Sequence, residues 1–192
     1  MHRIPDSIYV FVDGAYLRKA SQRAKTFWVE PRMAVSNTLG QPLNLAIQRT
    51  TYYGARPDDL KEVPAELAGY WEKIELLEDT DLGWGRLRGG DRRSVPTRQK
   101  GVDVLLAVDM MTNAFSKNYE QAVLVAGDAD FVPVIHEVRR FGVKVLLVAP
   151  SDGSVARELI QAADRYLAIN MGNVPHIQRP DSQFFGNPTE NF

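Results

Sequence analysis

The segment VLVAGDADFVPV, residues 123–134, runs four apolar residues (Val123, Leu124, Val125, Ala126) into Gly127 and then sets two acids one residue apart, Asp128 and Asp130. A short continuous apolar run bounded by such a break is the pattern of a strand buried on both faces of a parallel sheet. Two carboxylates at its exit contribute little to packing, so the segment also raises a question of chemistry. The same pattern occurs near the start of the chain, where SIYVFVDG (7–14) ends on Asp13.

Outward from these two strands the chain alternates. A polar helix is expected from Ala15 to about Lys25, and a loop with a short helix over 27–46, where Pro31, Asn37, Gly40 and Pro42 punctuate. RTTYYGA (49–55) reads as the second strand. An interrupted helix covers 60–79, with Pro64 near its true start. GWGRLRGGDRRSVPTRQK (83–100) reads as a glycine- and arginine-rich connection with a short strand around Arg86 to Arg88. Helical spacing follows from Gly101 to Phe115, then strand 122–126, helix 132–141, strand VKVLLVA (143–149), helix 154–163 and a last strand YLAIN (166–170). Strands alternating with helices predict right-handed crossovers and a doubly wound, mostly parallel sheet. Residues 1–171 form one domain on this reading and 172–192 an irregular tail, whose Phe184, Phe185 and Phe192 follow no period.

Composition narrows the classes. With 192 residues the chain suits a single core, and the 44% apolar content is ordinary. No apolar run approaches the length of about 20 residues that a membrane span needs, and MHRIPDS is no signal peptide. The absence of cysteine removes disulfides, thiolate metal sites and a Cys nucleophile. A cytoplasmic protein with no membrane association is expected. The net charge of −1 gives no global basic field, so a nucleic-acid partner has to be met by a local patch. His2, His136 and His176 are scattered, leaving a His-based zinc site or a Ser–His triad without support.

Ligands of open parallel sheets bind at the carboxyl ends of strands, where strand order reverses. Adjacent exits would bring Asp13 beside Asp128 and Asp130, and Asp103 opens the helix leading into strand 122–126. Converging carboxylates raise one another's pKa or take a cation. Mg²⁺ and Mn²⁺ prefer such oxygen donors, and they activate water for attack on a phosphodiester. The structural alternative is plain: Asp13–Gly14 as a turn and Asp130 as a helix cap. Asp109, six residues past Asp103, is turned about 120° around the helix. It therefore suits an orienting role rather than direct ligation. Lys100 precedes Asp103 by three residues and either meets phosphate or pairs with Asp103. Arg86, Arg88, Arg92, Arg93 and Arg98, against the single Asp91, form a basic track for nucleic acid, with Trp84 as a stacking platform. Asp152 and Ser154 in SDGS (151–154) read as a helix-start turn.

Four segments carry a resemblance to a known family: YVFVDGAYL (9–17), KGVDVLLAVDMMTNA (100–114), VLVAGDADFVPVIHEVRRFGVKVLLV (123–148) and ELIQAADRYLAI (158–169). In this order they resemble the NYN domain, the PIN-like nuclease group that includes LabA-like bacterial proteins. The resemblance implies a PIN-like three-layer α/β/α sandwich and a metal-dependent ribonuclease using Mg²⁺ or Mn²⁺. It places Asp13, Asp103, Asp128 and Asp130 on the acidic positions, Lys100 on the basic position and Asp109 on a second acid of the helix. Single-stranded RNA is the favoured partner, and a homodimer would lengthen its track. Many relatives carry Asn where this chain has Tyr16, which cannot reproduce an amide's paired donor and acceptor. The alternative is accordingly a catalytically weak or inactive RNA-binding or regulatory protein. A Toprim-like domain would need glutamate in place of Asp13. A haloacid-dehalogenase-like phosphatase would need Asp in place of Ala15. A dinucleotide-binding domain would need a glycine-rich turn that VDGAYL lacks.

Overall fold

A computed structural model describes residues 7–26, 29–40, 43–56, 65–77, 80–88 and 98–174. Seven strands make one sheet in the order β4-β3-β2-β1-β5-β6-β7: β1 (Ile8–Asp13), β2 (Ile47–Arg56), β3 (Thr80–Arg88), β4 (Arg98–Lys100), β5 (Gln121–Val125), β6 (Lys144–Pro150) and β7 (Arg165–Ile169). Six strands are parallel, and β4 alone runs antiparallel, against β3.

The apolar residues of β1 alternate between the two faces, as strand geometry requires. Val10 and Val12 join a core with α1 (Gly14–Arg23), α2 (Pro31–Leu39) and α3 (Ala65–Glu75), through Leu17, Ala34, Val35, Tyr70 and Ile74. Phe11 joins the opposite core with α4 (Val102–Phe115), α5 (Val132–Arg140) and α6 (Arg157–Ala162), through Leu106, Met110, Ile135, Val138 and Leu159. The result is the expected three-layer α/β/α sandwich. Among the described residues, no helix is long and apolar enough to cross a membrane.

Two expectations are corrected and one holds: the short helix expected within 27–46 is α2, nine residues long, with Pro31 in its first turn, where a missing N–H costs nothing. Glu30 caps that helix, its carboxylate accepting from the Arg32 and Met33 amides at 2.9 and 2.5 Å. The glycine-rich connection is in fact β3, nine residues long, followed by β4. Finally, α6 begins at Arg157 rather than 154, and Ser154 makes no helix cap. The expectations for Arg92, Arg93 and the tail phenylalanines fall outside the described residues.

Why glycine-rich sequence makes a strand is visible in the β2–β3 register, where Tyr53 faces Gly83 and Gly54 faces Trp84. Each aromatic ring lies over the glycine opposite. A Cβ on Gly83 would come within 2.4 Å of Tyr53 Cδ1, and one on Gly54 within 2.7 Å of Trp84 Cζ3. Aromatic rings thus cover the positions where side chains are missing. Strand propensity alone ranks Ala above Gly by some tenths of a kcal/mol, so it predicts that Gly83→Ala stabilises. The Tyr53 clash predicts a loss of about 1–3 kcal/mol instead, read from the urea midpoint; a rise in the midpoint would refute the clash.

Four core phenols face the same electrostatic problem. Tyr52, Tyr53, Tyr70 and Tyr119 have pKa values pushed above the ordinary phenol value, in each case chiefly by burial, with the Asp109 carboxylate adding to the effect on Tyr53 and Tyr119. A raised folded-state pKa contributes stability that is complete below the unfolded value of about 10 and is lost as pH rises past it. Stability should therefore hold to about pH 9 and then fall, each phenol adding up to about 1.4 kcal/mol per pH unit. Denaturant titrations across that range test this, and Tyr119→Phe should flatten the slope.

Candidate active site

β1 has parallel partners on both sides, with Val12 opposite Tyr52 of β2 and Val125 of β5. Strand order reverses here, and the exits of β1 and β5 lie together at the edge where such sheets bind ligands. Asp13 ends β1 and caps α1, its Oδ1 accepting from the amides of Ala15 and Tyr16 at 3.0 and 3.1 Å. That pair of bonds fixes the carboxylate's orientation while engaging only one oxygen. Asp128 follows the β5 exit, and its Oδ1 accepts from the Asp130 amide at 3.1 Å, so the turn aims both acids from one short segment. Asp103 stands in the first turn of α4, which starts from Gly101 in a left-handed conformation (φ +82). That conformation favours glycine and allows the sharp entry from β4 into the helix.

The acids of these elements feel one another. The Asp13 carboxyl is pushed up first by burial and, after the opposing Tyr16 amide, by the charge of Asp103. Asp103 is raised by partial desolvation and then by Asp128 and Asp130. The four acids expected to converge thus form an electrostatic chain, Asp13–Asp103–Asp128/Asp130. Among the described residues, no three His, Cys, Asp or Glu side chains stand where they could jointly hold one ion. A closed protein cage is therefore not preformed. Oxygen donors presented singly or in pairs fit a hard divalent cation that keeps most of its waters, as Mg²⁺ does.

Asp109 lies elsewhere. It accepts a short hydrogen bond from the Tyr53 hydroxyl and one from Asn113 Nδ2 at 2.7 Å, with Arg49 Nη2 at 4.0 Å. It braces α4 against β2, a strand contact where a loop or ligand contact was expected. Trp84 is half-buried, its ring centroid 6.3 Å from Tyr52 and 6.0 Å from the buried Trp71. By backbone register, Arg86 is paired with Lys100 and Arg88 with Arg98 across the β3–β4 ladder, which runs into α4.

Sequence reasoning marked Tyr16 only as a departure and missed what it does. Its ring lies against Gly127 so closely that a Cβ there would be 2.2 Å from Tyr16 Cε2 and 2.8 Å from the Ser154 carbonyl oxygen. The Tyr16 hydroxyl is 3.1 Å from Ser154 Oγ. Arg23 Nη2 donates to the same Oγ at 2.8 Å and Arg23 Nε to Asp152 at 2.7 Å, while the Ala156 amide donates to Gly127 O. Asp152 and Ser154 therefore tie the β6–α6 loop to α1. The only sequence signal was Gly127 itself, a glycine between a strand and its acids. Gly127→Ala should cost about 1–3 kcal/mol in denaturant unfolding. Adding Tyr16→Ala should recover part of that loss, because the ring clash disappears and the Ser154 carbonyl clash remains. Purely additive losses would show that the ring does not press on Gly127.

The chain is similar to known proteins. The chain is 26% identical over 169 residues to the Low amplitude and bright protein LabA of Synechococcus elongatus, covering 86% of this chain and 85% of the relative. It is similar in fold to a crystal structure of a protein of unknown function from Vibrio parahaemolyticus, with a TM-score of 0.63 at 16% identity, covering 88% of this chain and 96% of that one. Residues 7–170 match the NYN domain, a PIN-like nuclease family. The chain belongs to the NYN domain family and is LabA-like.

Proposed function

We propose that the chain is a metal-dependent ribonuclease hydrolysing phosphodiester bonds of single-stranded RNA. The observation that carries this reading is the meeting of acids from three separate elements at the switch point of the sheet: Asp13 from β1, Asp103 from α4, and Asp128 with Asp130 after β5. Asp13, Asp103, Asp128 and Asp130, presented singly or in pairs, would hold a Mg²⁺ or Mn²⁺ ion that keeps most of its waters. Such an ion would supply an activated water and offset charge on the phosphodiester. The chain's own groups do the rest. The Asp13 cap and the Asp128 turn keep two carboxylates oriented without substrate, so little ordering remains to be done on binding. Arg86, Arg88, Arg98 and Lys100, carried by the β3–β4 ladder that leads into Asp103, would meet a phosphate backbone laid along it. By sequence, Arg92 and Arg93 would add positive charge for the same partner. Asp109 acts at a distance by bracing α4.

One observation favours a second reading, an RNA-binding or regulatory protein that cuts poorly or not at all. Tyr16 covers the backbone at the β5 exit and hydrogen-bonds away toward Ser154. The amide expected at that position in many relatives is absent.

End-labelled single-stranded RNA incubated with purified protein, with Mn²⁺, Mg²⁺ or chelator, separates the two readings. Asp128→Asn is the control, because an Asn oxygen still accepts from the Asp130 amide and folding should change by less than about 0.5 kcal/mol. The nuclease reading expects metal-dependent cleavage that falls by at least about a hundredfold in the variant. Wild type and variant equally inert with every metal, while the wild type still binds RNA, would replace it with the regulatory reading.

A further inference from the structure

α4 is apolar on two opposite sides. Val102, Leu106, Met110 and Ala114 face the sheet and are buried. On the far side Val104, Val108 and Phe115 are 66%, 50% and 72% exposed, with the half-buried Met111 between them. Their spacing is four, three, four, the alternation of a coiled-coil seam; Val104, Val108 and Phe115 are turned from the core, and Met111 packs partly against its edge. A helix apolar all round is normally covered on all sides. At the carboxyl end the seam is broadened by Phe141 after α5, whose ring packs edge-on against Phe115 at 5.7 Å and is itself 42% exposed. An aromatic pair left exposed at the end of an apolar seam is characteristic of an interface rather than of a solvated surface.

Charge selects the occupant. The amino end of the seam is flanked by the acidic group Asp103, Asp128 and Asp130, and the carboxyl end by the exposed Lys117. A two-fold axis crossing α4 between Val108 and Met111 sets Val104 against Phe115 of the other copy and Val108 against Met111. The same operation brings Lys117 of each copy to the acidic end of the other, and it opposes the two helix dipoles. We infer that the outer face of α4 is a homodimer interface in which the two α4 helices pack antiparallel along this seam.

In such a pair the acid cluster lies at the margin of the contact, within reach of the other copy's Lys117. Asp103 lies about 110° around the helix from the seam, beside the contact rather than within it. The two clusters would stand roughly one helix length apart, about 21 Å along α4. This pairing does not depend on whether the chain cuts RNA.

Sedimentation equilibrium of the full chain over a concentration series, without nucleic acid, reads the association directly. A wild-type dimer is expected, and Val108→Glu should raise its dissociation constant by roughly thirtyfold or more while leaving the thermal midpoint of the monomer unchanged, since Val108 is outside the core. Lys117→Glu should weaken the dimer, and Asp103→Lys combined with Lys117→Glu should restore it. Because the chain has no cysteine, Val108→Cys offers a second route: oxidation should give a single cross-linked dimer, and Leu76→Cys, exposed elsewhere, should not. A wild type monomeric at all concentrations, or a dimer indifferent to Val108→Glu and to the charge swap, would overturn the inference.

Discussion

Pairing of β1 on both edges is the constraint from which the rest of the molecule follows. A strand with parallel neighbours on each side must be apolar toward both layers, and IYVFV is. It must also end where two crossovers diverge, which leaves an unfilled crevice at its carboxyl end. Asp13 occupies that end and caps α1 through its Oδ1. The same residue therefore closes the strand, starts the helix and feels the charge of Asp103. A substitution there disturbs local structure and chemistry together, which is why Asp128, with its single turn bond, isolates the chemistry better.

Two kinds of support hold the acidic edge in place. On one flank Arg23, Asp152, Ser154 and Tyr16 tie the β6–α6 loop to α1 through hydrogen bonds and an ion pair between partly exposed groups. Exposed ion pairs stabilise by less than about 1 kcal/mol each, so the value of this cluster lies in geometry: it keeps the Tyr16 ring seated over Gly127. On the other flank Tyr53, Asp109 and Asn113 lock α4 to β2 in a largely buried setting, where a lost hydrogen bond leaves a polar group unsatisfied. The position of Asp103 is thus set by contacts made two turns further along its helix.

Much of this was legible in the sequence. Strands β1, β5 and β6 are continuous apolar runs, and α4 and α5 show clean helical spacing, so the sandwich and the meeting of Asp13, Asp103, Asp128 and Asp130 followed from pattern and topology. What escaped depends on partners distant in sequence. Gly83 read as a breaker because the tyrosine that fills the place of its missing side chain lies thirty residues earlier, at Tyr53. Pro31 read as a loop residue because its acceptable place in a first turn is set by the Glu30 cap. Tyr16 appeared only as an anomaly, since neither Ser154 nor Arg23 points to it in one dimension. The acids' mutual repulsion and their candidate metal role were legible from the residues, and the family resemblance added RNA as the partner; their hydrogen bonds came only with the structure.

The doubly flanked strand also dictates when the site can come into being. Tyr9 finds Arg49 of β2 some forty residues on, but its other neighbour, Ala122 of β5, lies more than a hundred residues away. Contacts at such separations form late, because a long loop must close before any stabilisation returns. As the chain leaves the ribosome amino end first, β1, β2 and β3 can associate while β5 is still unmade, and one edge of β1 then stays bare. The acidic crevice has no existence in that half-sheet. Any activity that depends on it is withheld until the carboxyl-terminal half has been synthesised and docked, so a truncated chain would carry Asp13 and Asp103 without a site to put them in.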